Sequence, residues 1–182
     1  MLELLFQQRS IRKYKNNKVE KEKVEQLVQA ALLAPSARSV YSQRFIVIDD
    51  RDLLNKLSMA REHGSAFLKD APLAIVVLGD SSVQDVWTED AAISATFIQL
   101  VAKSLGLGSC WIQIRNRQHS SSKTAEEYIQ SILDIPSEIK VQCIIALGYS
   151  DEEKPSKSQK DLSYERVSYN TYKNKFKNMD QI

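Results

Sequence analysis

Arg9-Ser10-Ile11-Arg12-Lys13-Tyr14 sets two guanidiniums on either side of a hydroxyl. Such a turn can hold a phosphate through charge-assisted, often bidentate hydrogen bonds. Alone, the same string reads more simply as a solvated basic turn. A second candidate, Pro35-Ser36-Ala37-Arg38-Ser39, follows a helix end and offers backbone amides, two hydroxyls and a guanidinium. A polar loop of that kind can bind a heteroaromatic ring edge or a sugar chain, or merely connect a helix to a strand. The third stretch is Leu105-Gly106-Leu107-Gly108-Ser109-Cys110-Trp111-Ile112-Gln113. Its glycines bring the backbone round tightly into a strand whose far end could lie against a planar ligand.

Other chemistries find little support. The Gly-x-Gly of the third stretch lacks the third glycine and the strand-then-helix setting of a dinucleotide fingerprint, and no phosphate-cradling Gly-x-x-x-x-Gly-Lys-Ser/Thr occurs. A Ser-His-Asp or Cys-His hydrolase would have to use His63 or His119, and no nucleophile elbow is present. Glu89 and Asp90 are neighbours on a helix and point apart, so they do not form a carboxylate pair. Glu89 reads as surface, Asp90 as a cap or partner near the N-terminal half of its helix. Cys110 and Cys143 are too few and too far apart for a thiolate-held zinc or iron–sulfur site. They read as reduced core residues. No catalytic side chain and no metal ligand is assigned.

These stretches need elements to position them. Leu2, Leu5 and Phe6 share one face of a short N-terminal helix. Val24, Leu27, Val28, Ala31 and Leu32 keep helical spacing until Pro35 stops it. Phe45–Ile48 reads as a strand, a helix carries Leu53, Leu54 and Leu57, and Leu73–Leu78 is the clearest strand. A long helix over about residues 84–105 has the stripe Trp87, Ala91, Ala95, Ile98, Ala102 and Leu105. Its small side chains fit a central helix and a subunit contact. Ser109–Ile114 is a third strand, Ala125, Tyr128, Ile129 and Ile132 mark a further helix, and Val141–Leu147 is the fourth strand. Strands and helices alternate without a repeat, and the connections are long enough for helical crossovers. The expectation is an α+β fold: a mixed central sheet of four to five strands flanked by helices.

Composition bounds the rest. The 182 residues, 43% hydrophobic and 26% charged, fit one domain over 1–182 with its own core. Residues 151–182 form a charged, Tyr-rich C-terminal extension suited to wrapping a partner subunit. No apolar run approaches the roughly 20 residues a bilayer crossing needs. Met1–Phe6 carries its acid early and its basic residues late, the wrong order for a signal peptide. A net charge of +2 argues against a large nucleic-acid footprint, although Arg9, Arg12, Lys13, Lys15 and Lys18 cluster. The expectation is a cytoplasmic protein that binds neither membrane nor nucleic acid.

In order, these segments resemble the nitroreductase family of flavoproteins over about residues 6–150. Arg-Ser-Ile-Arg-Lys-Tyr is followed by Ala-Pro-Ser-Ala-Arg-Ser; Asp70–Val77 is similar to the family's second strand, Trp87–Ile93 to its central helix, Leu105–Ile112 to its Leu-Gly-Leu-Gly-Ser-Cys-Trp-Ile segment, and Ile144–Tyr149 to its last core strand. The resemblance implies a homodimer with two FMN sites at the subunit interface. It also implies ping-pong chemistry, in which NADH or NADPH reduces the flavin and leaves before a nitroaromatic, quinone or similar small acceptor takes the electrons. The flavin does the hard step, so no side-chain nucleophile is required. Arg9, Ser10 and Arg12 fall on the family's phosphate turn. Pro35, Ser36, Ala37, Arg38 and Ser39 fall on the loop that reaches the flavin, often from the other subunit. Trp111, Ile112 and Gln113 fall where backbone lies against the ring near N5, and an amide there can stabilise charge on the reduced ring. Lys157 and Lys160 are candidates for a distal phosphate contact.

The chain also departs from the family's pattern. Gln8 replaces the usual arginine two positions before the motif serine. Ser39-Val40-Tyr41-Ser42-Gln43 stands where Asn-x-Gln-Pro-Trp is usual, which leaves Tyr41 as a candidate for the substrate pocket. Gln113 and Ile114 replace glycines. A flavin-binding or flavin-sequestering protein with little turnover is the alternative reading. Relatives that dehalogenate or break down flavins usually carry extra lid segments, and the short interval Gly79–Gln84 leaves no room for one before the central helix.

Overall fold

A computed structural model of the protein describes residues 1–175. The last seven residues of the expected 151–182 extension therefore lie outside the described residues. Two apolar runs with β-branched side chains, β2 (Leu73–Asp80) and β4 (Ile139–Gly148), pair at the centre of a sheet. β1 (Gln43–Ile48) flanks β2 and β3 (Gly108–Gln113) flanks β4, so the order is β1-β2-β4-β3. α1 (Leu2–Gln7), α2 (Lys21–Leu32), α3 (Arg51–Ser58), α4 (Trp87–Ser104) and α5 (Ala125–Leu133) complete the chain's α-helices among the described residues.

The fold is α+β with four strands among the described residues, within the expected range. The sheet is not mixed, however, because all three strand pairings are antiparallel. Connection length permits either direction, and the packing decides it. Between β1 and β2 the chain goes out along α3 and returns through the 3-10 turn Ala66–Asp70, so β2 starts beside the end of β1. α5 makes a similar excursion between β3 and β4. Only α4 crosses over. It joins β2 to β3, which run parallel to each other with β4 inserted between them. Among the described residues the one parallel pairing is an isolated bridge between Ser10 and Ser109 at the outer edge of β3.

Alternation along the strands sorts the core into two layers. On one face Ala74, Val76, Leu78, Ile112, Ile144 and Ala146 pack under Leu54, Leu57, Leu68 and Ile129. On the other, Leu73, Ile75, Val77, Cys143, Ile145 and Leu147 meet Leu27 of α2 and Ala91, Ala95, Ile98 and Ala102 of α4. Each fully buried Leu or Ile contributes about 1.5–3 kcal/mol of apolar transfer. The alanines of α4 let α2 lie close against it. Leu105, read from the sequence as the end of that stripe, falls just past the helix, and Gly106 (φ 75°) turns the chain into β3 with a left-handed step that glycine takes without strain.

Candidate functional site

The cationic turn lies along the outer edge of β3. Ile11 N–H donates to the Ser109 carbonyl at 2.9 Å, which pins the turn to the start of the strand. The chain after β4 then runs back antiparallel to this segment. Asp151 N–H donates to Lys13 O, Lys154 Nζ to Ser10 O, Arg9 Nη1 to Pro155 O, and Lys157 N–H to Phe6 O. Residues 151–157 thus pack on their own subunit's N-terminal segment. Glu152 is the keystone of the arrangement. Its carboxylate accepts the N–H groups of Arg12 at 2.5 Å and Lys13 at 3.2 Å and lies 3.4 Å from Lys154 Nζ. The Arg12 amide, more than Lys154, holds that carboxyl below the usual glutamate range.

These contacts gather cations. A cavity of about 320 Å³ behind the turn is lined by Gln8, Arg9, Lys103, Gly108, Glu152 and Lys154 among others. Asp161, whose carboxyl is lowered chiefly by the Ser158 amide and hydroxyl, also feels the charges of Lys157 and Arg9. Ser10 is exposed and does not line this cavity. The Arg12 guanidinium lies 5.8 Å from the centre of the Phe67 ring. Lys160 is exposed on the 3-10 turn Gln159–Asp161. Lys103, Glu152 and Lys154 were not singled out from sequence. Gln8 turns inward and donates to Ser109 Oγ at 3.2 Å, so it does not stand in for the arginine the family usually carries there.

β3 continues the site. Along a strand, the N–H and C=O of one residue share a side and alternate with those of the next. Ser109 turns its carbonyl outward to Ile11, so Trp111 and Gln113 turn their backbone groups to the same edge, while Ile112 pairs inward with Ile144. Among the described residues no strand covers that edge beyond Ser109. The Ile112 side chain is buried in the core, leaving only its backbone near the edge. The Gln113 side chain folds back, accepting from Trp111 Nε1 and donating to Arg115 O, both at 2.9 Å. An open row of backbone donors and acceptors beside a cationic turn suits a planar heteroaromatic ring with a phosphate tail. It fits FMN.

The second loop sits elsewhere. Pro35–Ser39 precedes β1, off the opposite edge and opposite end of the sheet from Ser10. Four strand spacings across, since Ser10 lies one beyond β3, and about seven residues along separate the two, roughly 30 Å. No single mononucleotide touches both within one chain. The loop is held by α4: Ser36 Oγ donates to Asp90 Oδ2 at 2.6 Å and the Ala37 N–H to Asp90 Oδ1 at 3.0 Å. Arg38 pairs with Asp85 at 3.2 Å on the surface. Arg38, Ser39 and Tyr41 all have φ near 54°, the left-handed region that non-glycine residues avoid. Tyr41 is 54% exposed beyond this bend.

A family model described as Nitroreductase family matches residues 5–63 and 56–149. A protein of Archaeoglobus fulgidus whose name proposes an NADH dehydrogenase/NAD(P)H nitroreductase is 35% identical over 157 residues, covering 84% of this chain and 87% of that protein. Among solved structures, the FMN-dependent nitroreductase from Clostridium difficile R20291 is 50% identical, with a TM-score of 0.94 over 94% of this chain and all of that one. A Clostridium acetobutylicum structure whose name proposes an NADH oxidase is 34% identical, with a TM-score of 0.84, covering 93% of this chain and 99% of that one.

Proposed function

The chain belongs to the nitroreductase family, FMN-dependent NAD(P)H oxidoreductases, and from that premise we propose that it reduces nitroaromatics, quinones or similar small acceptors as a homodimer in the cytoplasm. The chemistry supplied with FMN bound is a ping-pong exchange, hydride taken from NADH or NADPH and then passed to the acceptor.

The protein's own part is binding and orientation. Arg9, Ser10 and Arg12, with Lys154 and Lys157, would hold the phosphate end, with Lys160 exposed on the turn that follows. The outward N–H and C=O groups of Trp111 and Gln113 would be available to the polar edge of the ring, with Ile112 fixing the strand beneath. Fixed amides there favour negative charge on the ring without reorganising. Pro35, Ser36, Ala37, Arg38 and Ser39 would complete the site of the other subunit, with the exposed Tyr41 ring available to the acceptor.

The observation that carries this reading is the separation of the two halves. A cationic turn with an open strand edge and a strained, firmly held loop lie at opposite corners of one chain, and a second copy brings them together. Exposed apolar groups suit that second copy: Met1 ahead of α1, Leu2 and Leu5 of α1, Ile93 and Phe97 of α4, and Leu32 and Leu33 at the end of α2. A groove of about 440 Å³ beside the free edge of β1, lined by Val28, Leu32, Tyr41, Phe45 and Val47, offers a seat for the partner's extension beyond residue 157.

The experiment is an absorbance spectrum of the purified protein. Yellow protein that bleaches anaerobically with NADH or NADPH, and regains colour with a quinone or nitroaromatic, is expected. Colourless protein that takes up no added FMN overturns the proposal, and colour without bleaching favours a flavin-sequestering role.

A further inference from the structure

Asp90 is 2% exposed, yet it is an acid placed in the first turn of a helix whose inner face is otherwise alanine, serine and isoleucine. Burying a carboxylate is costly unless its oxygens are satisfied, and here each has a partner in the same loop. Oδ2 accepts the Ser36 hydroxyl at 2.6 Å and Oδ1 accepts the Ala37 amide at 3.0 Å. The Ser36 oxygen in turn accepts the Tyr41 N–H at 2.9 Å. A hydroxyl has one hydrogen to donate, so Ser36 has committed it to Asp90 and offers a ligand at most a lone pair. The chain Asp90–Ser36–Tyr41 closes over the three residues with left-handed φ, and Gln84 Nε2 adds a bond to Ala37 O at 3.0 Å. Left-handed backbone costs a non-glycine residue about 1–2 kcal/mol, and strain of that kind persists only where surrounding contacts over-determine it.

We infer that Asp90 is a positioning residue, acting through Ser36 to hold the Ala37–Tyr41 bend in a strained shape that presents backbone and the Tyr41 ring to the partner subunit's flavin site. The inference rests on the proposed FMN site and assigns its loop half to one buried carboxylate. It also changes the part given to Ser36, whose side chain works inward on its own subunit while the bend after it faces outward.

The test uses the intact protein and FMN titration by flavin fluorescence. Asp90→Asn keeps the size and one acceptor oxygen but loses the acceptor for the Ser36 hydroxyl. Losing a charge-assisted bond at a buried site is expected to raise the FMN dissociation constant about tenfold, with trypsin cleavage after Arg38 accelerated. KM for a quinone acceptor should rise while kcat per bound flavin stays within about twofold, because the remaining reactive geometry is untouched. Ser36→Ala should give a similar loss. The double variant Asp90→Asn/Ser36→Ala should be no worse than Asp90→Asn alone, since both act on one contact. Wild-type affinity in a folded Asp90→Asn protein, or fully additive losses in the double variant, overturns the inference. Should the unaltered protein itself take up no FMN, the proposed function fails instead, and the two failures are told apart by that one control.

Discussion

The indole N–H of Trp111 donates to the side-chain carbonyl of Gln113 two residues on at 2.9 Å. The Gln113 amide passes the link to Arg115 O, so the residue that stands where the family usually has glycine is folded along its own strand. Among the described residues the outer backbone edge of β3 is left clear beyond Ser109. Gln113→Leu breaks both bonds at a half-buried position, each worth about 0.5–1.5 kcal/mol net. Thermal unfolding should shift down by about 2–12 °C for a chain of this size. The leucine, no longer tied back, should also perturb the visible spectrum of bound FMN. An unchanged spectrum would show that the ring does not lie against this edge.

Glu152 makes the cationic turn sensitive to acid. Its carboxyl is lowered, first by the Arg12 amide and then by Lys154. A group whose folded pKa lies below its unfolded value contributes fully above the unfolded value, about 4.3 for glutamate, and loses that contribution as pH falls through the folded value. Glu152→Gln should therefore destabilise the protein at neutral pH and converge with the parent as pH falls from the unfolded value through the lower folded one. Parallel melting profiles across pH 3–7 would contradict the role assigned to the carboxylate.

How much of this the sequence could show depends on sequence distance. β2, α4 and α5 are legible because apolar spacing within a dozen residues sets them, and the cationic turn is legible because Arg9, Ser10 and Arg12 are adjacent. Glu152 lies 140 positions from Arg12, and Asp90 54 positions from Ser36. Nothing local marks either pair, and the aperiodic run after Gly148 hides Lys154 among many charges. The strand directions were hidden for another reason. A connection of about 25 residues with a helix serves a parallel crossover or an antiparallel excursion equally well, and only packing of α3 on the turn Ala66–Asp70 chooses.

Gly79 tests how tightly the sheet meets α4. A Cβ added there would come within 2.5 Å of Trp87 Cε3 and 3.1 Å of its Cβ, a rigid part of the side chain with little room to yield. Gly79→Ala should cost about 1–3 kcal/mol by overpacking, and displacing Trp87 should also disturb Arg115, whose guanidinium lies 5.9 Å from its ring centre. Gly106→Ala is the contrast. No atom lies within 4 Å of its added Cβ, and the φ of 75° alone should cost about 1–2 kcal/mol. Intrinsic Trp fluorescence separates them, moving in Gly79→Ala and staying still in Gly106→Ala.

Arg9 tests the phosphate end of the site. Its Nη1 already donates to Pro155 O, which holds the guanidinium near Ser10 with other N–H groups left for a ligand. Lys154 is the less available cation, since Nζ is engaged by Ser10 O and Glu152. Arg9→Ala should therefore weaken FMN binding about tenfold or more, the size expected for one charge-assisted contact. Arg9→Lys keeps the charge without the planar fork and should fall between the two. Riboflavin, which has the ring and sugar chain but no phosphate, separates a local effect from a general one. Its affinity should be nearly the same in all three proteins if Arg9 reads the phosphate. Equal losses for FMN and riboflavin would mean that Arg9 only braces the N-terminal segment against residues 151–157, and that the phosphate is held elsewhere on the turn.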